Sequence, residues 1–183
     1  MDEKLLVKPK ALMVSAGHSA TDPGAVSGKW VEAKLALELR DLVVDILRRE
    51  GHHVISDGDK GVNLPLRTAA NMAKVADIAI ELHFNAGPPT AKGVEVLAAQ
   101  KDKRLAQDIA VAIASVTGSP LRGERGFKPE GAGQHKRLAF VQAGGLVVEV
   151  EFISNPDAMS VYESKKHQVA SAIAGVLMVA AVS

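Results

Sequence analysis

Cysteine is absent from the 183 residues. A thiolate nucleophile, a disulfide and a thiolate metal site are therefore excluded, and any metal or acid–base centre must be built from histidines and carboxylates. There are six histidines, at positions 18, 52, 53, 83, 135 and 167, and two of them stand out by position. His18 follows the short apolar run ALMVSA in the turn SAGHSATDPGA, and His83 closes the apolar segment DIAIELHF. Glu32 comes soon after the His18 turn, in the first turn of a helical pattern that could return its carboxylate over the same place. Two imidazoles and one carboxylate, with a fourth position open, form a ligand set used by catalytic zinc. The three lie far apart in sequence and the HExxH spacing is missing, so spacing alone does not establish the metal. Glu149 lies inside the apolar run LVVEVEF, where an acid is costly and must have a partner or a task. It reads either as a catalytic acid/base or as a structural acid paired with an arginine such as Arg67. Strand alternation puts Glu151 on the same face as Glu149, and like charges close together would raise the pKa of one of them.

These residues need elements to position them. Ala11–Ala16, His53–Ser56, Asp77–Phe84, Gly93–Ala98, Leu138–Gln142 and Leu146–Phe152 read as six strands. Helical spacing runs over Lys29–Glu50, with Gly51 as C-terminal stop. A second helix runs from an Asn63 cap through Pro65 to about Val75. A third spans Asp102–Thr117, and a last one follows Ser154 or Asn155 with Pro156 in its first position. Residues 118–136 read as a long loop rich in Gly, Pro, Arg and Lys. Strands alternating with helices predict a single α/β domain over 1–183, its core about 10–180. The sheet is expected to be largely parallel, with about six strands and helices on both faces. In such sheets sites gather at the carboxyl ends of the strands, where His18 and His83 fall.

Bulk properties narrow the function further. A hydrophobic share of 47% is enough for a sizeable core without disulfides. A net charge of +1 offers no field for a nucleic-acid partner. The longest apolar stretch, Val169–Val182, is 14 residues, short of the roughly 20 that span a bilayer, so stable membrane insertion is not expected. The N-terminal MDEKLLVKPK lacks the pattern of a signal peptide. The turn SAGHSATDPGA joins a strand to a helix but has neither a Gly-Lys-Ser/Thr ending nor GxGxxG spacing, so a phosphate loop is not indicated.

Four ordered segments resemble the zinc-dependent N-acetylmuramoyl-L-alanine amidases of the amidase-3 type. They are AGHSATDPGAV (Ala16–Val26), Glu32 at the start of the first helix, LRTAANMAKVADIAIELHFNA (Leu66–Ala86) and VVEVEFISNP (Val147–Pro156). The resemblance spans roughly Lys10 to Ala180. It implies one Zn²⁺ per chain on His18, Glu32 and His83, with Glu149 as catalytic acid/base. It also implies hydrolysis of the amide between N-acetylmuramic acid and the L-alanine of the peptidoglycan stem peptide. The sequence departs from the family pattern at Glu151, where glycine is usual, at Ser19, where glycine is common, and at Glu81, in place of a small polar residue.

Asn85, Glu151, Arg125 and His135 are candidate substrate contacts, the last two within a basic stretch that also holds Arg122, Lys128, Lys136 and Arg137. The segment NAGPPTAKG after His83 is too short for an inserted regulatory helix, and no wall-binding module is visible. Those features resemble a phage or prophage endolysin: a monomer made in the cytoplasm that acts on the cell wall after release. A zinc peptidase cutting within the stem peptide, and a wall-binding module that no longer catalyses, are the alternatives.

Overall fold

The computed structural model describes residues 9–132 and 137–183. Its centre is a six-stranded sheet. Strand β1 (Leu12–Ala16) is buried at all five positions, as expected for a strand covered on both faces. After a two-stranded hairpin, β2 (Val26–Ser27) and β3 (Trp30–Val31), come helix α1 (Glu32–Arg49), β4 (Val54–Ser56), α2 (Leu66–Ala73) and β5 (Ile78–Asn85). Then follow β6 (Glu95–Ala98), α3 (Lys103–Thr117), β7 (Phe127–Pro129), the single turn α4 (Ala139–Gln142), β8 (Leu146–Phe152) and the long α5 (Pro156–Ala181). The sheet order is β4-β1-β5-β8-β6-β7.

Every sheet pairing is parallel except β6 with β8. The exception follows from connection length. Residues 86–94 carry the chain past β8 without crossing to the other end of the sheet, so β6 must run antiparallel to β8, while β7 beyond it is parallel to β6. One face of the sheet (Leu12, Val14, Ile80, Leu82, Val96, Val148) packs on α1, α3 and α5. The other face (Met13, Ala79, Leu97, Val147) packs on Ala69 and Ala73 of α2 and on Phe140 and Val141 of α4. The α/β class, the sheet of six strands and helices on both faces agree with the sequence reading. In α5 the Asn155 side chain accepts from the Ala158 N–H with Pro156 next in line, and the helix buries Val169, Ile173 and Leu177. No helix among the described residues is long and apolar enough to cross a membrane.

Four local readings need correction. Leu138–Gln142 is not a strand: Ala139–Gln142 forms a helical turn whose Phe140 and Val141 fill the second face. A five-residue apolar run carries no periodicity to separate the two states. The sixth strand is instead β7, inside the segment read as loop. It is three residues long and ends on Pro129, tolerable because β7 is an edge strand. Lys29, Trp30 and Val31 are not helical. They close the β2–β3 hairpin around Gly28 at φ +56°, which makes Glu32 the first residue of α1. Asn63 does not cap α2: its amide donates to the His18 carbonyl at 2.8 Å.

One buried charge ties the loops together. Arg40 of α1 is fully buried. Its guanidinium pairs with Asp57 at 2.9 Å and donates to the carbonyls of Gly58, Asp59 and Val62. Asp57 in turn accepts from the Ala16 N–H at the end of β1. Removing one partner of such a pair strands a buried charge, so Arg40→Ala should lower unfolding free energy by about 3–5 kcal/mol. Urea denaturation followed by far-UV circular dichroism checks this, and a loss under about 1 kcal/mol would contradict the role.

Candidate metal centre

The carboxyl ends of β1 and β5 hold the centre. Glu32 enters from the first turn of α1, where an acid also suits the helix dipole. Its two oxygens are shared between four donors. One faces His83 Nδ1 at 3.0 Å and takes the Phe84 N–H at 3.1 Å; the other faces His18 Nε2 at 3.0 Å and takes the Ala25 N–H at 2.8 Å. The two imidazoles meet edge to face with centroids 5.0 Å apart. One ligand atom from each of His18, Glu32 and His83 lies within 4.8 Å of the others. That separation is spanned by two metal–ligand bonds of about 2.0–2.2 Å each with modest closure.

Each histidine has a carboxylate on its far nitrogen. Asp22 lies 3.0 Å from His18 Nδ1 and Glu81 lies 3.1 Å from His83 Nε2. A proton held on each of those nitrogens would leave the lone pairs of His18 Nε2 and His83 Nδ1 available to a metal ion placed between them and Glu32. The departure at Glu81 therefore acts on the orientation of His83. Asp22 belongs to the quoted turn, but nothing in the sequence singles out its role.

Two glycines make the room. A Cβ on Gly17 would come within 2.2 Å of the His83 ring, and one on Gly24 within 2.6 Å of both Glu32 and His18. His18 itself is held at φ +65°, a conformation strained for a non-glycine residue and stabilised by its surroundings. Those surroundings are the Asn63 amide on its carbonyl and the paired backbone bonds between Ser19 and Asp22.

The charge balance invites a cation. Burial opposes ionisation of Glu32, but hydrogen bonds from His18 and His83 outweigh it and hold its carboxyl well below the usual range. The hydrogen bond with Glu32 raises His18 despite partial burial. Burial works against a charge on His83, yet Glu32, Glu81 and Glu149 together hold its pKa well above the ordinary value. The cluster thus favours positive charge beside Glu32, the charge that a divalent ion would supply.

Glu149 sits beside this centre. It is the sheet neighbour of His83 in the β5–β8 register. Burial pushes its carboxyl up to about 7, opposed by His83 and assisted by Glu32 and Glu95. Its buried Oε2 has no hydrogen-bond partner among the described residues, and no arginine pairs with it. A buried carboxyl with an unpartnered oxygen next to two imidazoles and a carboxylate suits acid/base chemistry.

The other candidates part company. A shift in register between the His83 and Asn85 pairings takes Glu151 away from Glu149. Glu151 is wholly buried and accepts from the N–H groups of Gly93 and Phe152 and from the Ser119 hydroxyl, so it braces backbone and is not presented to a substrate. Asn85 donates to Glu95 at 3.1 Å and is near the centre. Arg125 is exposed at φ +52° in a turn that packs on α3 through Gly126, and among the described residues no hydrogen bond or ion pair links it to the centre. His135 lies outside the described residues. Glu95 was missed, although an acid within the apolar strand GVEVLA is the same signal that drew attention to Glu149.

Comparison with known proteins agrees with this arrangement. The family model described as N-acetylmuramoyl-L-alanine amidase, Amidase_3, matches residues 12–178. A solved structure from Neisseria meningitidis, provisionally described as an N-acetylmuramoyl-L-alanine amidase, is 46% identical. It superposes with a TM-score of 0.87, covering 93% of this chain and 95% of that one. The catalytic domain of the amidase CwlV from Bacillus (Paenibacillus) polymyxa shares the fold at 23% identity and a TM-score of 0.79, over 95% of this chain and 99% of that one. Among curated proteins, the uncharacterized protein YqiI of Bacillus subtilis is 27% identical over 169 residues, covering 88% of this chain and 79% of its own. With the matched region taking in the whole sheet and its site, the chain belongs to the N-acetylmuramoyl-L-alanine amidase family of the Amidase_3 type.

Proposed function

We propose that this chain hydrolyses the amide between N-acetylmuramic acid and the L-alanine of the peptidoglycan stem peptide. In this reading one zinc ion is held by His18, Glu32 and His83, with Glu149 as acid/base. The observation that carries it is the convergence of both imidazoles on the Glu32 carboxylate with the unpartnered Glu149 alongside. Zinc, when bound, supplies a Lewis acid that polarises the scissile carbonyl and lowers the pKa of bound water towards about 7. The donor set has no thiolate and leaves a position open, as catalytic zinc requires. Glu149 takes the proton from the attacking water and delivers it to the departing amine. Asp22 and Glu81 keep the metal-facing nitrogens of the two histidines free of protons. The acting unit is one catalytic domain, monomeric, working on the wall as a lysin. The endolysin catalytic domain CD27L, 22% identical, shares its fold.

Digestion of purified peptidoglycan with and without a chelator tests the reading. Mass analysis should find free stem peptides beginning with alanine, lost on chelation and restored by zinc. Fragments cut within the stem peptide would instead assign a peptidase. In Glu149→Gln, zinc content should stay near that of the parent while turnover falls by about 10²–10⁴; a variant keeping more than about a tenth of the rate would remove Glu149 from its role. In Glu81→Gln, zinc affinity measured by competition with a chromogenic chelator should weaken by about 10- to 100-fold. Unchanged affinity would reduce Glu81 to a bystander.

A further inference from the structure

The row of the sheet that carries the metal centre does not end at Glu149. His83 is paired with Glu149 across β5 and β8, and Glu149 is paired with Glu95 across β8 and β6. Directly opposed residues of an antiparallel pair share a face, and like charges there repel. Glu95, buried in the sheet, is nevertheless surrounded by positive groups. Arg122 Nε and Lys128 Nζ each lie 2.7 Å from one of its oxygens, and the Asn85 amide binds the other. Two cations therefore meet the Glu95 carboxylate at the edge of the centre, beside the opposed Glu149.

Arg122 is fixed in place as a fork. Its Nε is taken by Glu95, and its guanidinium lies over the Phe152 ring at 4.8 Å. Its stem crosses Gly93, where an added Cβ would come within 2.9 Å of it. Its backbone is bonded to Val94 and its side chain stays 39% exposed. Its two terminal nitrogens make no hydrogen bond among the described residues. A guanidinium held this way presents a planar donor pair to a carboxylate.

We infer that Arg122, with Lys128 and oriented by Glu95, forms a subsite for a free carboxylate of the stem peptide, placing the peptide against Glu149 and the metal centre. The inference rests on the amidase reading. In a muramyl peptide the lactyl carboxyl is consumed by the scissile amide, so every remaining carboxylate lies on the peptide side. Glu95 is two strands from His83, about 10 Å at the usual strand spacing, a reach that suits the stem residue following the alanine. Arg122 and Lys128 are specificity residues here, and Glu95 is a positioning residue.

The test uses the zinc-loaded full chain and two muramyl peptides that differ at one group, a free carboxylate or a carboxamide on the second stem residue. The parent protein should cleave the carboxylate form with kcat/KM about tenfold or more higher, most of it in KM, as a charge-assisted hydrogen bond supplies. In Arg122→Gln that ratio should fall towards one, and in Arg122→Lys it should recover in part, because charge returns without the fork. Equal cleavage of both peptides by the parent, with alanine-first products released, would overturn the subsite and leave the amidase reading standing. Cleavage of neither, by protein with a full zinc complement, would overturn both.

Discussion

Glu32 is the constraint around which the rest is arranged. Its carboxylate meets two imidazoles and two backbone N–H groups at once, and each of those four comes from a different stretch of chain or a different atom class. A carboxylate so placed cannot tolerate a shift of its helix by even one residue, which explains why the β2–β3 hairpin interrupts the start of α1. Extended backbone at Trp30 and Val31 lets the chain turn so that Glu32 opens the helix facing the sheet end. The glycines at 17 and 24 belong to the same requirement, since a side chain there would occupy the space of His83, or of Glu32 and His18.

The His18 turn is strained, and it is maintained from below. Asn63 holds its carbonyl, Asp57 holds the last N–H before the turn, and Arg40 holds Asp57 together with three carbonyls of the loop 58–62. The buried ion pair thus ties the loop 58–62 to α1. Preorganisation of this kind suits a cluster of side chains drawn from distant segments, because each must be oriented by its own surroundings.

Charge organises the other end of the row. Three carboxyls, Glu32, Glu149 and Glu95, approach one another across neighbouring elements, and each meets a different balance. Glu32 is satisfied by the histidines, Glu95 by Arg122, Lys128 and Asn85, and the buried Oε2 of Glu149 has no partner among the described residues. The unequal partnering sets Glu149 apart from its neighbours.

The histidines at strand ends, the acid in an apolar strand and the alternation of strands with helices were all legible in the sequence. Each is a local property: chemical type, periodicity, or a cost of burial that holds wherever the chain folds. The same logic failed where the segment was too short to carry a period, as at Ala139–Gln142 and Phe127–Pro129. Tertiary structure decided the rest. Alternation alone joined Glu151 to Glu149, and only the register shift in β8 separates them. Asp22, Glu81 and Glu95 acquire their roles from which nitrogen, or which opposing strand, each one meets. Partner choice of that kind depends on pairing between strands distant in sequence, and a chain read residue by residue does not contain those distances.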